Sequence, residues 1–191
     1  MLFGFCLAAW PQVIEFEAGG LKYQTLTKNG VTVMYSRLAP HIHEYAMLQV
    51  AISNGSDGFW SIKPEDFTFS RDDGRSIQAA PAKDVVGMML EKGSHGDVSK
   101  LVSIYETALY GIPHMRVTNG YEQRRQSAMS EGISARFKAA AAASALALIA
   151  TRLSPGQSTD GAVFFPNEGK QLSTGKLVVH ASGETFEFKS E

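Results

Sequence analysis

Two short motifs carry side chains that could bind a metal ion. His41 and His43 are one residue apart, so on a strand their imidazoles would point to the same side, as zinc ligands require. Pro40 precedes them and favours a loop, and the sequence offers no third ligand that can be named. The Asp-Asp-Gly segment at 72–74 lacks the further acids and the closing glutamate of a calcium loop. We therefore expect solvated histidines and a hairpin turn rather than a metal site.

Motifs for catalysis and for nucleotide binding find no support. The sequence has no Gly-x-Ser-x-Gly nucleophile motif, and the Ser94–His95 pair lies in a glycine-rich loop. A Gly-x-Gly-x-x-Gly motif and a phosphate-loop lysine are also missing. We therefore predict no catalytic residue and no cofactor, and we expect a protein that is not an enzyme.

Charge is distributed unevenly along the chain. Residues 82–152 contain nine Lys or Arg and six Asp or Glu, although the whole chain has a net charge of −1. The positive side chains concentrate at Arg124, Arg125, Arg136 and Lys138. These four residues form either a solvated helix face or a docking surface for an anionic partner or lipid headgroup. The overall balance argues against binding of nucleic acid.

The elements that would position these side chains begin with short strands. From residue 13 to residue 69, apolar and polar residues alternate with a period of two, which is typical of half-buried strands. The alternation is clearest over residues 45–53, where one face carries Ala46, Leu48, Val50 and Ile52. Turn signals separate six or seven such strands, which favours a β-sandwich over a parallel sheet.

The period changes to a helical one between residues 82 and 152. The most apolar part, Ala139 to Ala150, has 12 residues, whereas a membrane-spanning helix needs about 20. We therefore predict buried helices and no transmembrane span. The strand pattern resumes at residue 153. Residues 12–81 and 153–191 are thus predicted to form one β-sandwich, with 82–152 as a helical insertion at one of its loops.

Residues 1–11 contain an apolar segment, Leu2 to Trp10, with the length of the hydrophobic core of a signal peptide. No positively charged residue precedes it. Either these residues are the remnant of a clipped signal peptide, or they form a first buried strand or helical turn. In the first case the protein is periplasmic, secreted or envelope-associated, and otherwise it is cytoplasmic. The single cysteine, Cys6, excludes an internal disulfide and decides little about the compartment.

Two segments resemble bacterial extracytoplasmic immunoglobulin-like domains. Residues 48–69, LQVAISNGSDGFWSIKPEDFTF, end a strand in an Asn-containing turn and open the next one with Pro-x-Asp/Glu-Phe. Residues 153–166, LSPGQSTDGAVFFP, open a late strand with Leu-x-Pro-Gly and Gly-x-Val-x-Phe. The resemblance covers the β half of the chain and none of the helices. It implies a mainly β fold, an immunoglobulin-like antiparallel β-sandwich with an α insertion, and an envelope or secreted location, but no activity.

These observations predict a non-enzymatic binding or interaction module of the bacterial cell envelope, whose partner is a protein or another envelope component. The alternative is an enzyme of unrecognised type with a cleft between the helices and the sheet. An exposed apolar or basic patch on the helices would favour the binding module. A deep pocket with converging histidine and carboxylate groups would favour the enzyme.

Overall fold

The computed structural model describes residues 12–110, 121–128 and 134–190, so the apolar segment Leu2 to Trp10 lies outside the described residues. Strands are its main element. They are β1 (Ile14–Ala18), β2 (Leu21–Lys28), β3 (Val31–Ile42), β4 (Tyr45–Asn54), β5 (Trp60–Ile62), β6 (Phe67–Arg71), β7 (Ser76–Gln78), β8 (Thr151–Leu153), β9 (Ser158–Pro166), β10 (Gly175–Ala181) and β11 (Glu184–Ser190).

The larger sheet has five antiparallel strands in the order β1-β2-β3-β4-β9. Two-residue turns join its first three strands, and Gly19, Gly20, Asn29 and Gly30 in these turns all have positive φ. Such a backbone suits the right-handed twist of a hairpin, which is why Gly-Gly and Asn-Gly occupy these turns. The long strand β4 lies between β3 and β9 and pairs with both along its length.

A four-stranded antiparallel sheet, β11-β10-β6-β7, packs on one face of the larger sheet. We call this the inner face. The predicted alternation over residues 45–53 is confirmed, because Ala46, Leu48, Val50 and Ile52 all lie in the core between the two sheets. The smaller sheet contributes bulky side chains to that core, namely Phe67, Phe69, Leu177, Val179, Phe186 and Phe188.

Helices cover the other face of the five-stranded sheet, the outer face. They are α1 (Ala82–Lys92), α2 (His95–Tyr110), α3 (Tyr121–Ala128) and α4 (Ala135–Leu146). Ser94 caps α2, since its hydroxyl accepts a hydrogen bond from the backbone N–H of Asp97 at 3.2 Å, and the Asp97 carboxylate accepts the backbone N–H of Ser94 at 2.9 Å. This reciprocal pair is the capping box that the Ser-x-x-Asp spacing permits.

The alanine run packs closely against its surroundings. Ala139 and Ala143 of α4 are fully buried, and a Cβ atom placed on Gly93 would lie 2.7 Å from the Ala139 methyl group. Helix α4 ends at Leu146, four residues before the end of the apolar run. The chain becomes extended there because the backbone N–H of Leu148 donates to the carbonyl of Ala162 in β9 at 2.8 Å. Tertiary pairing thus overrides the helical propensity of alanine.

A mainly β, antiparallel fold with helices is therefore confirmed. The immunoglobulin-like arrangement is not confirmed, since β1 to β4 follow one another as neighbours in a single sheet, whereas an immunoglobulin fold distributes its early strands over two sheets. The division into a sandwich and an insertion at 82–152 stays a prediction. In the described part of the chain, no helix has the length and apolar character needed to cross a membrane.

Candidate binding groove at the edge of the five-stranded sheet

An open groove of about 480 Å³ runs along the first three strands of the larger sheet. Residues at alternate positions of β1, β2 and β3 point to the same side, and cross-strand pairing places Glu15 beside Gln24 and Gln24 beside Tyr35. The polar residues that line the groove are Glu15, Glu17, Lys22, Gln24, Tyr35 and Arg37. They continue the inner face outward, beyond the point where the apolar core ends.

Hydrogen bonds fix the floor of this groove. The Tyr35 hydroxyl donates to Gln24 Oε1 at 2.9 Å, and Gln24 Nε2 donates to the Glu15 carboxylate and, at 2.8 Å, to the backbone carbonyl of Lys189. Burial raises the pKa of Tyr35 to about 12, with Arg37 lowering it and Glu15 raising it further. The phenol therefore stays protonated at neutral pH and acts as a donor, so the floor is preorganised.

Arg37 closes one end of the groove. Its guanidinium donates to the carbonyls of Leu172 and Ser173 at 3.0 and 3.1 Å, and it lies over the Phe69 ring at 5.3 Å. Burial lowers the pKa of Arg37, and its neighbour Tyr35 raises it. These contacts tie the loop before β10 to β3, so Arg37 supports the groove wall.

Strand β1 forms the rim of the groove, and the face of β1 opposite Glu15 and Glu17 is apolar. Ile14 is 61% exposed and Phe16 is 37% exposed. The Phe16 ring stacks on Tyr23 with centroids 5.2 Å apart, and the Tyr23 hydroxyl donates to the carbonyl of Ala108 in α2 at 2.8 Å. Among the described residues, β1 pairs with β2 on one side and with no strand on the other. An edge strand with exposed apolar side chains is a template for further pairing.

The predicted basic surface is divided between two helices. Arg125 of α3 forms an ion pair with Glu106 of α2, with 2.6 Å between Nε and Oε1, which neutralises part of the positive charge. Arg136 is exposed and Lys138 half-buried, both in the first turn of α4. Arg124 belongs to α3, but its side chain lies outside the described part of the structure. Whether these residues bind a partner stays a prediction.

The two histidines of the first motif do not face the same way along one strand. His41 is in β3, whereas His43 is in the turn to β4 with a φ of 48°. His43 Nε2 lies 3.1 Å from Asp97 Oδ2, and the Ser94 hydroxyl donates to the same oxygen at 2.8 Å. Both groups thus bind one carboxylate, whereas nucleophile activation needs the hydroxyl bonded to the imidazole. In the part of the chain that the structure describes, no three His, Cys, Asp or Glu side chains cluster as metal ligands would.

The interface between the helices and the sheet contains buried polar groups. Asp160 of β9 is 4% exposed and accepts a hydrogen bond from the hydroxyl of the fully buried Tyr105 in α2. Gln49 of β4 and Ser36 of β3 face each other across the strands and are 3% and 1% exposed. No histidine is buried among the described residues. The histidine and carboxylate that do converge between the sheet and the helices, His43 and Asp97, are partly exposed and lie outside the groove.

Comparisons with known proteins add little to this geometry. No protein-family model matches the chain, and no protein with a curated description is significantly similar to it. A solved structure with detectable similarity is that of the yjhA protein from Bacillus subtilis. The two chains share 11% identity over 87% of this chain and 76% of that one, with a TM-score of 0.35. A likeness at that level assigns no function.

The sequence contained a signal for the groove, although the groove itself was not predicted. The alternation of Glu15 and Glu17 with Ile14 and Phe16 indicated a strand. Charged residues that alternate with apolar ones in the first strand of a meander are typical of a sheet edge. The remaining contributors, such as Arg37, join the groove only through sheet topology.

Proposed function

We propose that this protein is a non-enzymatic binding module of the bacterial cell envelope that captures an extended segment of a partner protein along the edge of β1. The observation that carries the proposal is the free edge of β1, on the side away from β2. This edge pairs with no strand in the described residues and borders the groove. Addition of a strand to a sheet edge is a common mode of peptide recognition, in which backbone hydrogen bonds supply affinity and side-chain contacts supply specificity.

The backbone of β1 is oriented for such pairing. Gly19 and Gly20 form a two-residue turn with φ of 58° and 78°, and Ala18 pairs with Leu21 across it. In a two-residue hairpin the residues that flank the turn exchange both backbone hydrogen bonds. Because the pattern alternates along the strand, the N–H and C=O groups of Glu15 and Glu17 point away from β2, toward the free edge.

The surroundings of this edge also fit an extended ligand. An added strand would lie beside β1, with its side chains next to Ile14 and Phe16 on one face and next to Glu15 and Glu17 on the other, and Gln24 donates a hydrogen bond to Glu15. Gln24 is in turn held by Tyr35 and by the carbonyl of Lys189, and a side chain that is already ordered loses less entropy on binding. Both contacts use residues on strands, which hold a site more rigidly than loops do.

Two finer parts of the proposal rest on the sequence. The envelope location is supported by the apolar segment Leu2 to Trp10, and the immunoglobulin-like relationship is supported by the turn-and-strand segments at 48–69 and 153–166 together with two antiparallel sheets that pack face to face. The strand order differs from the immunoglobulin one, so the binding role is argued from the groove alone.

The test blocks the free edge without disturbing the hairpin. Peptides of about twelve random residues are selected on the full chain, and the best are titrated against Glu17→Pro and, as the matched control, Glu17→Ala. Proline removes an N–H that points to the free edge, a position where sheets tolerate it. We expect binding to fall about tenfold or more in Glu17→Pro and to persist in Glu17→Ala. Equal binding by the two variants, or failure to select any peptide, would refute the proposal.

A further inference from the structure

We infer that the segment taken by β1 carries basic side chains at alternate positions, facing Glu15 and Glu17, and apolar side chains between them, facing Ile14 and Phe16. This inference rests on the proposed function. The chemistry of each face follows from the pleat, since the four residues alternate along β1 and all four are exposed. The nearest neighbours of an added strand would be these side chains, because directly opposed residues lie about 5 Å apart.

The two carboxylates are available to a ligand. Glu15 accepts one hydrogen bond from Gln24, which leaves most of its acceptor capacity unused. Lys22 is the cross-strand neighbour of Glu17 on the side of β2, one strand away from any added segment. Arg37 lies two strands from β1, where its guanidinium already donates to two backbone carbonyls. The free edge therefore presents negative charge to its direct neighbour.

A second copy of this chain fits the edge poorly. Antiparallel pairing of two β1 strands with continuous faces sets residues of equal parity opposite each other. In the registers that pair most of the strand, Glu15 then faces Glu17 or its own counterpart in the other copy. Like charges in directly opposed positions are destabilising. The glutamates thus disfavour self-association while they favour a basic partner.

The test uses three eight-residue peptides that alternate Val with Lys, Val with Glu or Val with Thr, each titrated by fluorescence anisotropy against the full chain. We expect the Val-Lys peptide to bind at least about tenfold more tightly than the Val-Glu peptide. The preference should shrink as salt is raised, because the charges are exposed. The double variant Glu15→Lys, Glu17→Lys should reverse the order of the two charged peptides.

Glu91→Lys with Glu168→Lys is the matched control, since it makes the same change in net charge at exposed positions outside the groove. It should preserve the preference for the Val-Lys peptide. Equal affinity for the three peptides, or an unchanged order in the β1 double variant, would overturn the inference. The proposed function would survive that result, because Glu17→Pro tests strand addition whatever the charge of the segment. Dimerisation of the peptide-free chain, or binding that requires removal of residues 1–11, would assign the edge to another occupant and also overturn the inference.

Discussion

The two faces of the five-stranded sheet are covered in different ways. The inner face meets the smaller sheet through large rings, with edge-to-face pairs such as Tyr35–Phe188 at 5.1 Å and Phe69–Phe165 at 6.4 Å. The outer face meets helices whose central member, α4, presents mainly alanine. Interdigitated rings hold two rigid sheets relative to each other, whereas small side chains let a helix lie close to its neighbours.

Polarity separates the two faces as well. The middle of the core between the sheets is apolar, and the buried polar residues on that side, Asn54 and Thr159, lie at the end of β4 and near the start of β9. The outer face buries Ser36, Gln49 and Asp160 beneath the helices. A buried polar group lowers stability unless it is hydrogen-bonded. Ser36 and Gln49 have no side-chain hydrogen-bond partner among the described residues, so we expect the outer face to add less stability than the inner face.

The largest expected difference comes from the same truncation on the two sides. Leu177 of β10 and Leu101 of α2 are both fully buried, one on each side of the sheet. We expect Leu177→Ala to lower the free energy of unfolding by about 3–5 kcal/mol and Leu101→Ala by about 2–3 kcal/mol. A helix can shift into the cavity, whereas a hydrogen-bonded strand cannot. Urea denaturation of both variants measures the difference, and equal losses would show that the faces are equally rigid.

Two substitutions within the outer face are expected to change the free energy of unfolding by smaller amounts and in opposite directions. The side-chain amide of Gln49 has no hydrogen-bond partner within the described residues. Gln49→Met keeps the shape and should raise the free energy of unfolding by about 1–2 kcal/mol. Asp160→Ala should lower it by about 1–3 kcal/mol, because the buried Tyr105 hydroxyl then loses its acceptor.

Thermal melts of Gln49→Met and Asp160→Ala measure these two changes in stability. Destabilisation by Gln49→Met of more than about 1 kcal/mol would show that ordered water satisfies the amide in solution. The outer face would then be as well hydrogen-bonded as an ordinary helix–sheet interface. Its buried polar groups would no longer explain a difference in stability between the two faces.

Sequence patterns predicted the inner face better than the outer one. The period of two over residues 45–53 identified which residues of β4 face the smaller sheet, since alternation follows directly from the pleat. It also placed Met47 and Gln49 on the opposite face, but it could not show that helices cover them. Local pattern determines which way a side chain points, whereas the layer it meets depends on contacts between distant parts of the chain.

The groove illustrates the same limit. Glu15 and Glu17 could be assigned to one face of a strand from the sequence. Their proximity to Tyr35 requires the pairing of three strands, and the orientation of Arg37 requires the carbonyls of Leu172 and Ser173, more than 130 residues later in the chain. Long-range contacts of this kind leave no periodic trace in a single sequence.

The smallest expected effect concerns the contact between the outer helices and the turn after β3. Partial burial of the Asp97 carboxyl raises its pKa, but hydrogen bonds from Ser94 and His43 outweigh this and hold the pKa below its usual value. A carboxyl whose pKa is depressed by folding adds stability at pH values above its unfolded pKa of about 4, and this stability disappears as the pH falls through the folded pKa. We therefore expect Asp97→Asn to lower stability at pH 7 by about 0.5–1 kcal/mol, as for loss of a capping group, and to have little effect near pH 2.

Thermal melts of Asp97→Asn and of the unchanged protein from pH 7 to pH 2 measure whether their stability curves converge. Asp84→Asn is the control, since Asp84 lies exposed in the first turn of α1. Stability curves that stay parallel down to pH 2 would show that the ionised Asp97 carboxylate does not stabilise the contact between the helices and the sheet.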